Sequence, residues 1–187
     1  MKFTIANKIN IPGTQDPVTT YENMCIRNAA CQLSNLKGLG SDAEVLSESI
    51  NGNILERETA VHPSSDSVPG AIKLLLGADA LDYVEKLRYD FSTHTGTIRN
   101  TMLNSSMASK INSSAGVSIR SGAPFAPRTV VHNIDVNLKV NMWFVGGQVE
   151  KSIKSELEAR SPDIKRLTEE YLNKNIETTP VADRNAA

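Results

Sequence analysis

The sequence lacks the features that mark several common classes of protein. No apolar run approaches the roughly 20 residues that a membrane-spanning helix needs. The formal net charge is −1, so the basic excess typical of nucleic-acid-binding proteins is absent. We therefore expect no transmembrane segment and no nucleic-acid partner. Only 5% of the residues are aromatic, so few bulky side chains are available to fill an interior.

Metal-ligating and redox-active side chains are also few. The three histidines, His62, His94 and His132, lie far apart and form no paired ligand spacing, so no metal site is predicted. Cys25 and Cys31 are six residues apart in one predicted helix, which places them on different faces and makes a mutual disulfide geometrically poor. We interpret them as buried thiols in a reducing compartment.

Phosphate-binding and nucleophile motifs are missing as well. Gly38-Leu39-Gly40 lacks the downstream glycine and the preceding strand of a dinucleotide-binding loop. No Gly-x-Ser-x-Gly sequence is present to form a nucleophile elbow. We expect no bound cofactor, and a binding function is favoured over an enzymatic one.

The length and composition are those of one ordinary globular unit. A chain of 187 residues, 40% hydrophobic and 22% charged, suits one domain with a substantial core. We assign residues 1–175 to this domain and the polar, unpatterned residues 176–187 to a flexible tail. The first five residues alternate between apolar and polar side chains instead of forming a signal-type apolar block, so the cytoplasm is the expected compartment.

The most informative segment is the change of period around Gly146-Gly147. From Ile134 to Phe144 every second side chain is apolar, which predicts a strand with one buried face. After the glycine pair the apolar side chains follow a helical period as far as Tyr171. This period continues across Ser161-Pro162 and predicts one long kinked helix. Such a helix is expected to lie across the apolar face of a sheet.

The remaining segments predict further strands joined by tight turns. Asn51-Gly52 suits a type I′ turn between two strands, and Asp16-Pro17 marks the start of a helix pair that ends near Gly40. Residues 105–120 predict a short strand pair joined through Ser113–Gly116. The predicted fold is α+β, with a curved antiparallel sheet of about six to seven strands gripping a long C-terminal helix.

This order of elements resembles the START-like helix-grip superfamily, also called SRPBCC-type. The run Val145–Lys151 is similar to a bacterial START-like family of unknown function, in which a comparable glycine pair and Ile/Val-Glu-Lys open the last helix. The segment Val68–Gly77 and the strand near Tyr83 are similar to PRELI-type phospholipid-transfer domains, which would imply the mitochondrial intermembrane space. The chain lacks the Asn-Pro-containing segment of that second group, and no mitochondrial address is visible.

The resemblance implies an apolar cavity between the sheet and the C-terminal helix, holding a lipid, a phospholipid, a sterol or another hydrophobic molecule. The residues expected to line it belong to a central strand, the long strand and the last helix: Tyr83, Glu85, Leu87, Tyr89, Val136, Leu138, Val140, Met142, Val149, Ile153 and Leu157. A core completely filled by aliphatic side chains is the alternative, and it stays open at this point.

Three polar residues share a strand face with apolar neighbours. Glu85 is in phase with Tyr83 and Leu87, where a carboxylate needs a partner or a raised pKa. It is interpreted either as a contact to a ligand head group or, in preference, as the site of a bulge where the phase slips. His132 is interpreted as a wet rim residue at the start of its strand, and the same interpretation applies to Asn100.

Two further features have two interpretations each. The apolar residues Val68, Ile72, Leu75 and Leu76 form either a lid that touches a membrane while open or a core helix packed on the sheet. Trp143 falls on the polar face of its strand. There it is either an interfacial anchor or partner contact, or it is covered by the neighbouring helices.

The sequence is compatible with three functions. The first is non-enzymatic binding or transfer of a hydrophobic ligand, accompanied by transient membrane contact. The second is an enzyme of the cyclase, dehydratase or hydrolase type, for which Glu85 with a histidine is the acid–base pair that the sequence offers. The third is a closed-core scaffold that binds another protein.

Overall fold

The computed structural model of the protein describes residues 1–64, 81–122, 124, 126 and 128–177. In chain order its elements are β1 (Lys2–Asn10), α1 (Pro17–Tyr21), a π-helical turn (Glu22–Ile26), α2 (Ala29–Gly38), β2 (Ser41–Asn51), β3 (Ile54–Pro63), β4 (Tyr83–Asp90), β5 (Thr95–Met102), α3 (Ser105–Ala108), β6 (Ile111–Ser121), β7 (Thr129–Val140) and α4 (Gly146–Glu177). The residues expected to form a lid, Val68–Leu76, lie outside the described residues.

The strands form one antiparallel sheet in the order β1-β7-β6-β5-β4-β3-β2. Neighbours along the chain pair from β2 to β7, and β1 pairs with β7 at the far edge. The long helix α4 contacts β1 and β7 and also packs on α2. The predicted α+β fold, with a curved antiparallel sheet and a long C-terminal helix, is confirmed.

Local sequence signals account for the first helices and the first hairpin. The Asp16 carboxylate accepts a 2.7 Å hydrogen bond from the Thr19 amide and caps α1, while Pro17 occupies the first helical position. Asn28 caps α2 in the same way. Gly52 has a φ of 59°, as the turn between β2 and β3 requires. The expected helix pair and hairpin are both confirmed.

The interruption between these helices brings the two cysteines together. Cys25 lies in the π-helical turn and Cys31 in α2, and both are buried free thiols. A hydrogen bond with Cys31, together with burial, raises the pKa of the Cys25 thiol. The expectation that the two lie on different faces of one helix is wrong, because the helical period is broken between them at Asn28.

Two strands differ from the prediction in their extent. Ser113–Gly116 is no turn but lies inside β6, where it pairs with β5 on one side and β7 on the other. Small polar side chains suggested a turn, but pairing on both edges satisfies the backbone of an extended chain. The long strand β7 ends at Val140, well before Phe144, which has a φ of 63° and is 87% exposed.

The helix α4 is continuous through Pro162, as expected from its uninterrupted apolar stripe. Pro162 is exposed and has no backbone N–H to donate inside the helix. The helix includes the first two residues of the predicted tail, 176–187, and residues 178–187 lie outside the described ranges. Among the described helices, none is both long and apolar enough to cross a bilayer.

Candidate ligand-binding site

Packed side chains fill the space between the sheet and the helices at two places. The first core cluster joins α1, α2 and the last turns of α4 to the sheet, and it includes Ile9, Cys31, Leu55, Tyr89 and Leu172. The second core cluster joins the first turns of α4 to β5, β6 and β7, and it includes Met102, Ile111, Val136, Leu138 and Val149. Opposite ends of α4 are therefore anchored in separate clusters.

Between the two clusters, inward-facing side chains are only half-buried. The pairing register aligns Thr59, Glu85, Asn100 and Ser113 across β3, β4, β5 and β6, and we call these four residues the central row. Directly opposed residues of antiparallel strands share one face. Thr59 is 1% exposed, whereas the other three are half-buried, as is Leu157 of α4. The middle of the interface is thus packed less completely than its ends.

Glu85 is the charged member of the central row, and it faces inward. Its strand pairs without a register shift on both sides, so the bulge expected at Glu85 is wrong. Oε1 of Glu85 accepts a 2.7 Å hydrogen bond from the Gln32 amide of α2. Loss of hydration raises the pKa of the Glu85 carboxyl, against the opposing effects of the Gln32 hydrogen bond and the Arg57 charge.

Arg57, on β3, fixes the position of the Gln32 side chain. Its guanidinium is 2% exposed and donates to the Gln32 side-chain oxygen at 3.3 Å, to the backbone carbonyls of Ile26 and Arg27 at 2.9 and 3.0 Å, and to Glu48 at 2.6 Å. Because Arg57 occupies the oxygen of the Gln32 amide, the nitrogen is directed to Glu85. The hydrogen bonds from Arg57 to Gln32 and from Gln32 to Glu85 therefore connect the start of α2 to the central row.

Tyr83 lies two residues before Glu85 on the same face of β4. Burial is the largest cause that raises the pKa of its phenol, the Glu85 charge adds to it, and the Arg160 charge of α4 opposes it. Arg160 itself donates to the Leu39 carbonyl at 3.1 Å and pairs with Glu156. The Tyr83 phenol therefore lies within electrostatic range of both Glu85 and Arg160 of α4.

Another inward-facing carboxylate, that of Glu22, lies beside the first core cluster. Glu22 is 5% exposed and accepts hydrogen bonds from the Tyr89 hydroxyl at 2.7 Å and from His94 Nδ1 at 2.8 Å. Burial and the adjacent Glu22 raise the pKa of the Tyr89 phenol. Tyr89 is 0% exposed, so this expected cavity residue is part of the packed cluster and lies away from the half-buried middle.

His132 is no rim residue. Its Nδ1 lies 3.0 Å from the Tyr21 hydroxyl, and burial lowers the pKa of the imidazole to about 4. The register places it opposite Asn7 of β1, whose side-chain oxygen accepts from Ser161 at 2.6 Å. His132 Nε2 and Asn7 Nδ2 are shielded from solvent and have no hydrogen-bond partner among the described residues. The expectation of a wet strand end is wrong because α1 and α4 cover this part of β7.

The apolar residues predicted to line a cavity are either buried or half-buried, and of the half-buried ones all but Leu157 also pack against a core cluster. Val136, Leu138, Val140 and Val149 are buried in the second core cluster. The half-buried members are Tyr83, Leu87, Met142, Ile153 and Leu157. Trp143, placed on the polar face by its position in the sequence, is 86% exposed, and no helix covers it.

The acid–base pair considered for an enzyme is not formed. Each histidine has a different partner: His62 bonds Asp82, His94 bonds Glu22 and His132 contacts Tyr21. Glu85 bonds Gln32 instead. The sequence therefore named the carboxylate of the central row but not its actual partner.

Sequence reasoning missed Arg57 and Gln32. Arg57 stands at period two between Leu55 and Thr59, so the alternation of β3 already placed a guanidinium on the buried face. That signal was available. Gln32 lies on α2, a weakly amphipathic helix with one fully buried residue, so no pattern marked its inward direction.

A separate pocket of about 280 Å³ lies at the turn between β1 and α1, away from the central row. Its lining is mixed in character and consists of Ile11, Gly13, Thr14, Gln15, Asp16, Pro17 and Arg128. None of its lining residues belongs to the central row, so we do not assign the ligand to it.

Comparison with known proteins identifies the fold. No family model and no curated protein matches the sequence. Solved structures do match: TTHA0849 from Thermus thermophilus has a TM-score of 0.56 at 10% identity, covering 94% of this chain and 99% of that one. Ara h 8.0201 has a TM-score of 0.52 at 11% identity, covering 94% and 100%.

A third match is dicamba monooxygenase bound to dicamba, with a TM-score of 0.56 at 8% identity. It covers 100% of this chain and 53% of the oxygenase. At such identities the likeness concerns the fold alone. The chain has the helix-grip fold, which it shares with these Bet v 1-like and SRPBCC-type structures.

Proposed function

We propose that the protein binds a hydrophobic ligand of the lipid, phospholipid or sterol class between the central row and the middle of α4. Residues 1–175 would act as one binding domain, and the resemblance to START-like domains would extend to a carrier function without catalysis. The observation that carries the proposal is the inward-facing, half-buried Glu85, whose pKa is raised by loss of hydration and which lies between Leu87, packed against the first core cluster, and Tyr83, packed against the second.

The polar groups of the site indicate what the ligand presents. Gln32 bonds one oxygen of Glu85, and Arg57 is engaged by Gln32, Glu48 and two backbone carbonyls. No further side chain of the described residues hydrogen-bonds Glu85. The ionised Glu85 carboxylate repels an anion placed beside it, because a second negative charge disfavours its charged form. We infer an apolar ligand with a neutral hydroxyl or carbonyl group directed at Glu85 and Tyr83.

The apolar part of the ligand would supply most of the affinity. Burial of each methylene group contributes about 0.8 kcal/mol, so one acyl chain is sufficient for useful binding. Leu87, Ile153 and Leu157 are half-buried apolar residues of β4 and α4, and the first two also pack against the core clusters. Dicamba monooxygenase bound to dicamba is a ligand-bound neighbour with the same fold, which supports a binding function in general.

The cytoplasm is the compartment that we propose, because Cys25 and Cys31 are both free thiols although their side chains are in contact. An oxidising compartment favours disulfides.

A matched pair of serine variants tests the binding site. Ser113 lies in the central row, opposite Asn100, whereas Ser114 faces outward opposite Arg99 and Asn137. We expect Ser113→Leu to lower the affinity for cetyl alcohol at least about tenfold by placing a larger side chain in the proposed site. Ser114→Leu should retain the affinity. Displacement of an uncharged fluorescent probe, Nile red, by the alcohol measures both.

Two results would contradict the proposal. The first is equal affinity of the two serine variants. The second is native protein that carries no lipid in mass spectrometry after mild purification and shows no thermal shift across alcohols, sterols and phospholipids. Palmitic acid serves as the charged comparison, and we expect it to bind more weakly than cetyl alcohol because Glu85 disfavours a second carboxylate.

A further inference from the structure

Trp143 and Phe144 form an exposed aromatic pair in the loop between β7 and α4. Their side chains are 86% and 87% exposed, and their ring centroids lie 4.4 Å apart. The next most exposed large apolar side chains in the described part of the chain, Leu46 and Leu103, are 51% exposed. Two adjacent aromatic rings that are exposed to solvent usually mark a contact surface.

The backbone holds this pair outward. Phe144 has a φ of 63°, in the left-handed region that a bulky residue rarely adopts and that carries strain. Hydrogen bonds fix the turn on both sides, from the Val145 amide to the Trp143 carbonyl and from the Gly146 amide to the Met142 carbonyl, both at 2.9 Å. Met142 packs against the second core cluster. The two rings, here called the aromatic tip, therefore project from an anchored loop.

The charges around the aromatic tip are mostly positive. A hydrogen bond of 2.7 Å from the Asn141 amide to the Lys110 carbonyl joins this loop to the one before β6. The two chain segments next to the aromatic tip, residues 103–113 and 137–155, contain one acidic residue, Glu150, which bonds the Val140 amide at 2.9 Å. They contain four lysines in a chain of net charge −1: Lys110, Lys139, Lys151 and Lys154.

We propose that the aromatic tip docks on an anionic lipid surface, with Trp143 and Phe144 inserted at the level of the head groups and the lysines contacting lipid phosphates. The size of the tip favours lipid over a protein partner. Two aromatic side chains bury roughly 300–500 Å², whereas a stable protein interface buries about 800 Å² on each side. The proposal does not depend on which ligand the central row binds.

The chain contains one tryptophan, so its fluorescence reports directly on the tip. The full chain is titrated with vesicles of phosphatidylcholine mixed with phosphatidylglycerol, and with vesicles of phosphatidylcholine alone. We expect the emission to shift to shorter wavelength with the anionic vesicles. Partition onto neutral vesicles should be at least about fivefold weaker, and added salt should reduce the difference.

The variant Phe144→Asn separates docking from folding. Asparagine tolerates the left-handed backbone, so the unfolding midpoint should be unchanged or higher, while loss of the ring lowers vesicle partition about tenfold. Ile50→Asn is the matched control, because Ile50 is 39% exposed next to the turn at the opposite end of the sheet. It should retain the partition of the natural chain.

Three outcomes would overturn the proposal. One is an emission spectrum that neither type of vesicle changes. Another is equal partition of Phe144→Asn and the natural chain. The third is an emission shift that follows protein concentration without vesicles, which would identify the tip as a contact between protein molecules.

Discussion

The side-chain amide of Gln32 donates a 2.7 Å hydrogen bond to the Glu85 carboxylate and so connects α2 to the inner face of β4. The Arg57 guanidinium donates a 3.3 Å hydrogen bond to the oxygen of the same amide. The carboxyl is therefore neither solvated as a surface group nor paired directly with a cation. Its protonation state depends on burial more than on charge, which makes Glu85 a source of pH-dependent stability.

Replacement of Glu85 by glutamine should remove that dependence. A carboxyl whose pKa is raised by folding binds more protons in the folded than in the unfolded state, so it destabilises the fold as the pH rises above its ordinary value of 4.5. We expect the unfolding free energy of Glu85→Gln, relative to the natural chain, to increase from pH 4.5 towards neutral pH. Urea denaturation across this range measures it. The unfolding free energy of Glu56→Gln, an exposed change on β3, should have the same pH dependence as that of the natural chain. The same pH dependence for Glu85→Gln would contradict the prediction.

Arg57 should be among the most sensitive positions of the chain. Arg57→Met leaves the Ile26 and Arg27 carbonyls and the Gln32 oxygen without their donor in a buried place, which we expect to cost about 3–5 kcal/mol. Arg88→Met is the control, because Arg88 is 60% exposed and its pair with Glu56 contributes at most about 1 kcal/mol. Chemical denaturation compares the two, and similar losses would show that the Arg57 network is not needed for stability.

The sheet could be predicted from the sequence because its signals are local. Alternation of apolar side chains defines β7, and Asn51-Gly52 defines the first hairpin. The strand β6 was missed because its serine-rich middle, Ser113–Gly116, has the composition of a turn. Pairing with β5 and β7 overrides that composition, and this pairing is a property of the assembled sheet.

The candidate site was predictable only in part, for a similar reason. Period two placed Glu85 on the inner face, yet a carboxylate on an apolar face suggested a bulge. Its partner Gln32 lies 53 residues earlier in the chain, and no sequence spacing connects them. The burial of His132 likewise depends on α1 and α4 packing over β7, a tertiary contact that strand periodicity cannot indicate.

His132 should make the fold sensitive to mild acid. Burial lowers the pKa of its imidazole to about 4, so between pH 6.5 and 4 the unfolded chain takes up a proton that the folded chain does not. This uptake destabilises the fold as the pH falls, by up to about 3 kcal/mol. His132→Gln should lose this part of the acid sensitivity, whereas His62→Gln, at an exposed histidine, should retain it. Thermal unfolding at a series of pH values tests both; an unchanged acid profile of His132→Gln would contradict the prediction.

Two strand glycines should respond in opposite directions to a methyl group. At Gly96 a Cβ would lie 2.7 Å from the Arg88 carbonyl oxygen and 2.8 Å from the Tyr89 ring, so the backbone of β4 or β5 must move. We expect Gly96→Ala to destabilise the fold by about 1–3 kcal/mol. At Gly116 the nearest atom is 3.9 Å away, and Gly116→Ala should be neutral or stabilise by about 0.5–1 kcal/mol through lower chain entropy. Denaturant midpoints compare the two variants. Equal midpoints would mean that Tyr89 moves aside at no cost, which is difficult to reconcile with its complete burial and its hydrogen bond to Glu22.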